Sequence, residues 1–185
     1  MKPGMSGTRR AIAQKISLIS SCMESGHQRY LFVVGTIIVL DQLTKYLIDS
    51  SMRLYQSEEL IGGFLALTYV RNTGAAFGLL ANAPAWFRQP FFYLTTGVAI
   101  VILGLFLRRL EEHERLARLS IVAIAGGAVG NLIDRIRFGY VIDFLDVSWR
   151  GYHWPTFNVA DSCITLGVLG LLWSSVWGTA SRQDG

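Results

Sequence analysis

The chain has 185 residues, of which 51% are hydrophobic and only 16% charged, against about a quarter charged in ordinary soluble domains. That balance excludes an ordinary soluble domain and points to the membrane. The net charge of +4 forms no basic patch interleaved with aromatics, which argues against nucleic acid as a partner.

Residues 1–29 form an N-terminal extension in which Ile12, Ile16, Ile19 and Met23 recur at helical spacing beside Arg9, Arg10 and Lys15. This suits a short amphipathic helix on the inner leaflet, with a disordered tail as the alternative. Cys22 ends ISSC, which matches a lipid-attachment box only loosely because Gln14 and Lys15 interrupt the apolar run before it. Four apolar segments then approach the roughly 17 to 25 residues that cross a bilayer core: 30–48, 91–107, 116–133 and 159–177. The first, with LFVVGTIIVL, follows a basic start as a signal peptide does. No small-residue cleavage site follows it, so it reads as a retained span.

Between the first two spans, about 53–78, FLALTYV is rich in β-formers and follows Gly62 and Gly63, the signals of a small extracytoplasmic sheet. Next come RNTGAAFGLL, with Gly74 and Gly78 bracketing an aromatic, and APAWFRQPFF, whose Trp86, Phe87 and Arg88 suit an interfacial segment. The third span, whose composition also suits a soluble core helix, carries Gly126 and Gly130 as a small-residue face. Residues 178–185 are a tail. Ten Lys and Arg flank one side of the spans (Lys2, Arg9, Arg10, Lys15, Arg29, Arg108, Arg109, Arg115, Arg118, Arg182), against Arg53, Arg71, Arg88, Arg135, Arg137 and Arg150 on the other. The excess places both termini in the cytoplasm. Cys22 and Cys163 then lie at different depths or on different sides, which argues against a disulfide between them.

Ionisable residues inside apolar sequence are functional candidates by default. Asp41 and Lys45 lie four apart on one helix face and can pair. The pattern Asn131-x-x-Asp134 closing the third span recurs as Asn158-x-x-Asp161 opening the fourth, and antiparallel spans bring both to one surface. Capping accounts for the second copy, with Asn158 as N-cap and Asp161 at the third helical position. It accounts poorly for Asp134 at a helix C-terminus. Asp134 precedes Arg135 and Arg137, partners that would keep it ionised in a salt bridge. Asp143, in the apolar octet YVIDFLDV at 140–147, has a setting that raises a carboxyl pKa; Asp146 reads as a solvated or supporting acid.

Two facing carboxylates share a proton, as in an aspartic hydrolase. The residues alone leave Asp143 with Asp161 and Asp134 with Asp161 both open, the doubled motif favouring the latter. Other chemistries find less support: His27, His113 and His153 form no HExxH-type metal motif, there is no GxSxG, and of three lysines only Lys45 reaches the outer side.

DQLTK at 41–45, YVRNTGAAFG at 69–78, GGAVGNLIDR at 126–135, VIDF at 141–144 and FNVADS at 157–162 occur in this order. Together they resemble the signature of lipoprotein signal peptidase, or signal peptidase II, over about residues 30–177. The resemblance implies an all-α membrane fold, four transmembrane helices with a small extracytoplasmic β-cradle, and a bacterial inner-membrane aspartyl endopeptidase. Such enzymes need no metal or other cofactor. They cleave diacylglyceryl-modified prolipoproteins on the N-terminal side of the modified cysteine, near the outer leaflet, in contact with membrane lipid and as a monomer. Carried onto this chain, the catalytic pair is Asp143 and Asp161, with Asp41, Lys45, Asn72, Gly74, Asn131, Asp134, Arg135 and Asn158 shaping the site or binding substrate. The rival reading is a small proton-coupled transporter using Asp41, Lys45, Asp134 and Asp161 as a relay, for which the inverted-repeat symmetry is lacking. A purely structural subunit would need no cluster of outer acids.

Overall fold

A computed structural model of the chain describes residues 28–75 and 78–176 in full and the helical backbone alone over 5–27 and 177–180. The expectations for the N-terminal extension's amphipathic face, for Cys22 and for the C-terminal tail lie outside the described side chains. Eight elements follow in order: α1 (Met5–Ser51), β1 (Ser57–Ile61), β2 (Leu65–Asn72), α2 (Ala85–Arg109), α3 (Arg115–Phe138), β3 (Val141–Trp149), β4 (Tyr152–His153) and α4 (Val159–Ala180).

Among the described residues, four stretches are long and apolar enough to cross a membrane: Gln28–Ser51, Ala85–Arg109, Arg115–Phe138 and Val159–Val176. Their outward faces carry exposed Leu31, Phe32, Val98, Val101, Ile102, Leu169 and Trp173, side chains that water would penalise and lipid accepts. The second span starts earlier than the apolar run suggests. APAWFRQPFF is largely helical: Pro84 stands at the N-cap of α2, and Pro90 lies inside the helix, where its missing N–H forgoes one backbone bond.

α3 packs against α1, α2 and α4 and is the hub of the bundle, which is why its sequence also suits a soluble core helix. The small residues let neighbours close in. A Cβ on Gly130 would lie 2.6 Å from Asp41 Oδ2, and one on Gly126 3.1 Å from Ile37. Any side chain at 130 would therefore displace a buried carboxylate.

The chain leaves α3 through Gly139, whose left-handed φ of 79° caps the helix on the Arg135 carbonyl, and enters β3 two residues later. The sheet runs β1-β2-β3-β4, all antiparallel. Half of its strands come from residues 141–153, so it extends well beyond the 53–78 segment expected to form it. Because α1 ends, α2 begins, α3 ends and α4 begins at the sheet, it covers one end of the bundle, and the short α2–α3 connection lies at the other. Ile48, Tyr69, Ile142 and Phe144 form the core between sheet and bundle, with Met52, Leu67, Tyr140, Leu145 and Val159 against it. Tyr69 is buried there with its hydroxyl bonded to Asp49, and its pKa is pushed up to about 12, first by burial and then by that bond.

Candidate active site

Strand alternation accounts for the carboxylate in VIDF. Ile142 and Phe144 point into the core under the sheet, so Asp143 between them points the other way. There it is only 1% exposed. Opposite it on β2 stands Val70, with Asn72 paired to Val141 on the same face. Asn72 Nδ2 donates to Asp143 Oδ2 at 3.0 Å, and Asn158 Nδ2 to Asp143 Oδ1 at 2.7 Å. Both oxygens thus have neutral donors. Burial pushes the Asp143 carboxyl up from 3.8 to about 7, the negative charge of Asp161 adds to the rise, and the two amides and the Lys45 ammonium oppose it.

Asp161 is fixed from the other side. Asn158 and Asp161 cap α4 reciprocally: Asp161 N–H donates to Asn158 Oδ1 at 2.9 Å and Asn158 N–H to Asp161 Oδ2 at 3.3 Å. Asn131 Nδ2 donates to Asp161 Oδ1 at 2.7 Å, and Asn158 Nδ2 reaches Asn131 Oδ1 at 3.2 Å. Asp143, Asn158, Asn131 and Asp161 therefore form one connected chain of bonds. The capping role expected of Asn158 and Asp161 is real, and it orients Asp161 rather than competing with chemistry.

Beneath this layer lies a buried charge cluster. Lys45 Nζ pairs with Asp41 at 2.9 Å and Asp134 at 3.0 Å and donates to Asn131 Oδ1 at 2.8 Å. Exposures are 2% for Lys45, 0% for Asp41 and 1% for Asp134. Asp41 also accepts the Ala160 N–H at 2.9 Å, and Asp134 the Ile142 N–H at 3.1 Å. The cluster so ties α1 to α3, α4 and β3. The expected pair of Asp41 with Lys45 exists. The expected pair of Asp134 with Arg135 and Arg137 does not: Asp134 points inward along α3 to Lys45, and the successive arginines point elsewhere. Arg135 lies over the Phe92 ring at 4.4 Å and donates to the Gly74 carbonyl at 3.1 Å; Arg137 lies over Phe138 and reaches Gln42.

Gly74 serves through its backbone, its N–H donating to Asn72 Oδ1 at 3.0 Å, and a Cβ there would lie 2.5 Å from the Leu79 carbonyl. Asp146, expected to be a solvated or supporting acid, is held by His153 Nδ1 at 2.9 Å and Thr68 Oγ1 at 3.2 Å.

Sequence reading missed Gln42. Its Nε2 donates to Asp134 Oδ1 at 2.8 Å and lies 3.2 Å from the Gly130 carbonyl; a polar residue next to Asp41 in an apolar span was the available signal. Asp143, Asp161, Asn72, Asn131 and Arg135 line one cleft of about 970 Å³, continued by Trp154, Pro155 and Phe157 and by Ile164 and Leu166 of α4. Asp41, Lys45, Asp134 and Asn158 lie behind its wall. Of the two carboxylate pairs left open by the residues alone, Asp143 with Asp161 meets in the cleft. Cys163 is a free thiol. Among the described residues no group of three or more His, Cys, Asp or Glu side chains has the arrangement of a metal site.

The profile of the family described as signal peptidase (SPase) II matches residues 33–177. Over 163 residues the chain is 49% identical to a lipoprotein signal peptidase of Syntrophotalea carbinolica, covering 88% of this chain and 99% of that one. It is 47% identical to that of Geobacter metallireducens, covering 79% and 89%. A bacterial membrane enzyme solved in meso at 2.3 Å superposes with a TM-score of 0.77 at 32% identity, over 85% of this chain and 93% of that chain. Family profile, curated relatives and solved structure agree, and the chain belongs to the signal peptidase II family of membrane peptidases.

Proposed function

We propose that this protein removes signal peptides from prolipoproteins as an aspartyl endopeptidase, hydrolysing the bond on the N-terminal side of a diacylglyceryl-modified cysteine at the outer face of a bacterial inner membrane. Membership of the signal peptidase II family supports the substrate class. The observation that carries the mechanism is the meeting of two carboxylates, Asp143 and Asp161, in one cleft, each with both oxygens held by amide donors.

Two carboxylates in one poorly hydrated site cannot easily both ionise, so the pair retains one proton near neutral pH. Asp161 stands in the first turn of α4, where the helix dipole favours a negative charge, so Asp143 on its strand is assigned the proton at rest and Asp161 the charge. Asp161 then takes a proton from water as its oxygen attacks the scissile carbonyl carbon, while Asp143 donates to the carbonyl oxygen. A C–O bond forms and a tetrahedral intermediate results. On its collapse the C–N bond breaks, the leaving nitrogen takes the proton held by Asp161, and Asp143 recovers its own from the intermediate's hydroxyl. Asn131 and Asn158 hold the dyad's orientation through the cycle, which is how positioning lowers a barrier.

The cleft's apolar end along α4 suits acyl chains entering from lipid, and its sheet-side end suits peptide. The basic excess on the flanks opposite the sheet supports an inside location for both termini and an outer-leaflet location for the cleft. Three of the four charges a transporter would use as a relay are committed to one another, Lys45 with both Asp41 and Asp134, and only Asp161 lines the cleft. The deciding experiment is cleavage of a diacylglyceryl-modified precursor by the purified chain, with mass spectrometry of the products. No cleavage, or cleavage elsewhere than before the modified cysteine, would overturn the assignment.

A further inference from the structure

Arg88 lies near the start of α2, where the helix dipole disfavours a cation. Its Nη1 donates to the carbonyl oxygens of Ala81 at 3.2 Å and Ala83 at 3.1 Å, while its Nε is buried without a partner. An arginine at such a position with one donor unmet is unfavourable on local grounds, and the bonds it does make fix a segment of backbone.

What it holds is the segment that leads from Asn72 to α2. Ala75, Gly78 and Ala81 of that segment line the cleft containing Asp143 and Asp161. Its described residues are tied by short-range bonds: Ala75 N–H donates to the Leu79 carbonyl at 2.8 Å, Ala81 N–H to Gly78 at 3.0 Å and Ala83 N–H to Leu80 at 3.0 Å. Leu80 has a φ of +63°, a left-handed conformation that a bulky residue keeps only where its surroundings impose it. Two guanidinium groups grip this wall. Arg135 of α3 takes the Gly74 carbonyl at its inner end, and Arg88 of α2 takes Ala81 and Ala83 at its outer end.

We infer that Arg88 is a positioning residue for substrate binding, its forked bond to Ala81 and Ala83 holding the aqueous wall of the cleft pre-formed against α2. The inference rests on the peptidase reading of that cleft. A wall ordered before the peptide arrives spares binding the cost of ordering it. None of the bonds that orient Asp143 and Asp161 passes through Arg88, so its loss acts on KM rather than kcat.

The test compares the full chain in detergent with Arg88→Gln and Arg88→Lys, using a diacylglyceryl-cysteine precursor and hydrogen exchange resolved at the Ala81 and Ala83 amides. Arg88→Gln should raise KM about tenfold with kcat within about twofold, and speed exchange at both amides about tenfold while leaving the 141–145 amides unchanged. Arg88→Lys, which keeps the charge without the fork, should fall between. Unchanged exchange in an active Arg88→Gln protein would overturn the clamp. A fall in kcat together with general loss of protection would make Arg88 merely structural and also overturn it. Absence of cleavage by the parent chain would instead remove the peptidase reading and the substrate role with it, exchange at Ala81 and Ala83 still deciding whether Arg88 holds the wall.

Discussion

Lys45 donates from inside the first span to the side-chain carbonyl of Asn131 at 2.8 Å, and so fixes which way that amide faces. An ammonium has only donors, so Asn131 must turn Oδ1 toward it and Nδ2 toward Asp161. A charge one layer below the cleft thus dictates the polarity of a bond within it. Lys45→Met should leave Asp41 and Asp134 buried without their cation, a defect of about 3 to 5 kcal/mol, and should free the Asn131 amide to turn. Asn131→Asp is the cleaner probe, since it sets an acceptor against Asp161 while Lys45 keeps a partner. It should lower kcat about 100-fold with a smaller loss of thermal stability than Lys45→Met. Equal activity of Asn131→Asp and the parent would show that amide polarity does not matter.

Asp143→Asn and Asp161→Asn should each reduce cleavage by at least about 100-fold while the protein stays folded in detergent. An amide of the same shape neither accepts a proton from water nor holds the shared one. Turnover near the parent rate by either variant would remove that residue from the proposed dyad.

Asp143 predicts a specific pH dependence. Its carboxyl titrates at about 7 in the folded chain against 3.8 as the ordinary value, so between these the folded state binds the extra proton. Stability from this group is fully present below the lower value and is lost as pH rises through the upper one, by up to about 4 kcal/mol. Melting temperature should therefore fall more steeply from pH 5 to 8 in the parent than in Asp143→Asn. Activity should also decline above about pH 7 as the shared proton leaves. Parallel melting curves for the two proteins would contradict the raised value.

Asp134→Asn should be a stability variant. Asp134 accepts from Lys45 and the Ile142 N–H on one oxygen and from Gln42 on the other, so an amide must turn its NH₂ against a donor whichever way it is placed. The loss should approach about 3 to 5 kcal/mol, read as a lower melting temperature with residual cleavage. A well-folded but inactive protein would instead promote Asp134 to a chemical role.

The four spans and the strand in FLALTYV were legible because hydropathy and β-propensity act locally. So was Asp41 with Lys45, one helical turn apart. The partner of Asp134 was not: Arg135 is its neighbour in sequence, yet a helix turns successive side chains about 100° apart, and the cation it meets sits 89 residues earlier, at Lys45. The role of VIDF as a sheet strand was hidden for a related reason. Four buried residues in a row, Val141 to Phe144, show no polar alternation, because the face carrying Asp143 is enclosed by Asn72, Asn158 and the cleft rather than by water. The spacing of Asn158 and Asp161 could be read as capping or as chemistry because the bonds that cap α4 also fix the carboxylate that lines the cleft.

Cleavage should require the diacylglyceryl group on the substrate cysteine and should be indifferent to EDTA. The first expectation follows from depth. Asp161 opens α4, and the cleft continues past it along Ile164 and Leu166, down the apolar length of that span, so a bond presented to Asp161 must be held at the level where helix meets sheet. A peptide alone has no means of staying there, whereas two acyl chains contribute about 0.8 kcal/mol for each CH₂ they bury and fix the adjoining bond at that height. The second expectation follows from the proposed dyad, which activates water by a carboxylate. The comparison sets a precursor bearing diacylglyceryl-cysteine beside the same precursor unmodified, in detergent and in bilayers, with and without EDTA. Comparable rates for both precursors in bilayers would defeat the anchoring argument. Loss of activity with EDTA, restored by added metal ion, would defeat the two-carboxylate mechanism while leaving the anchoring argument standing.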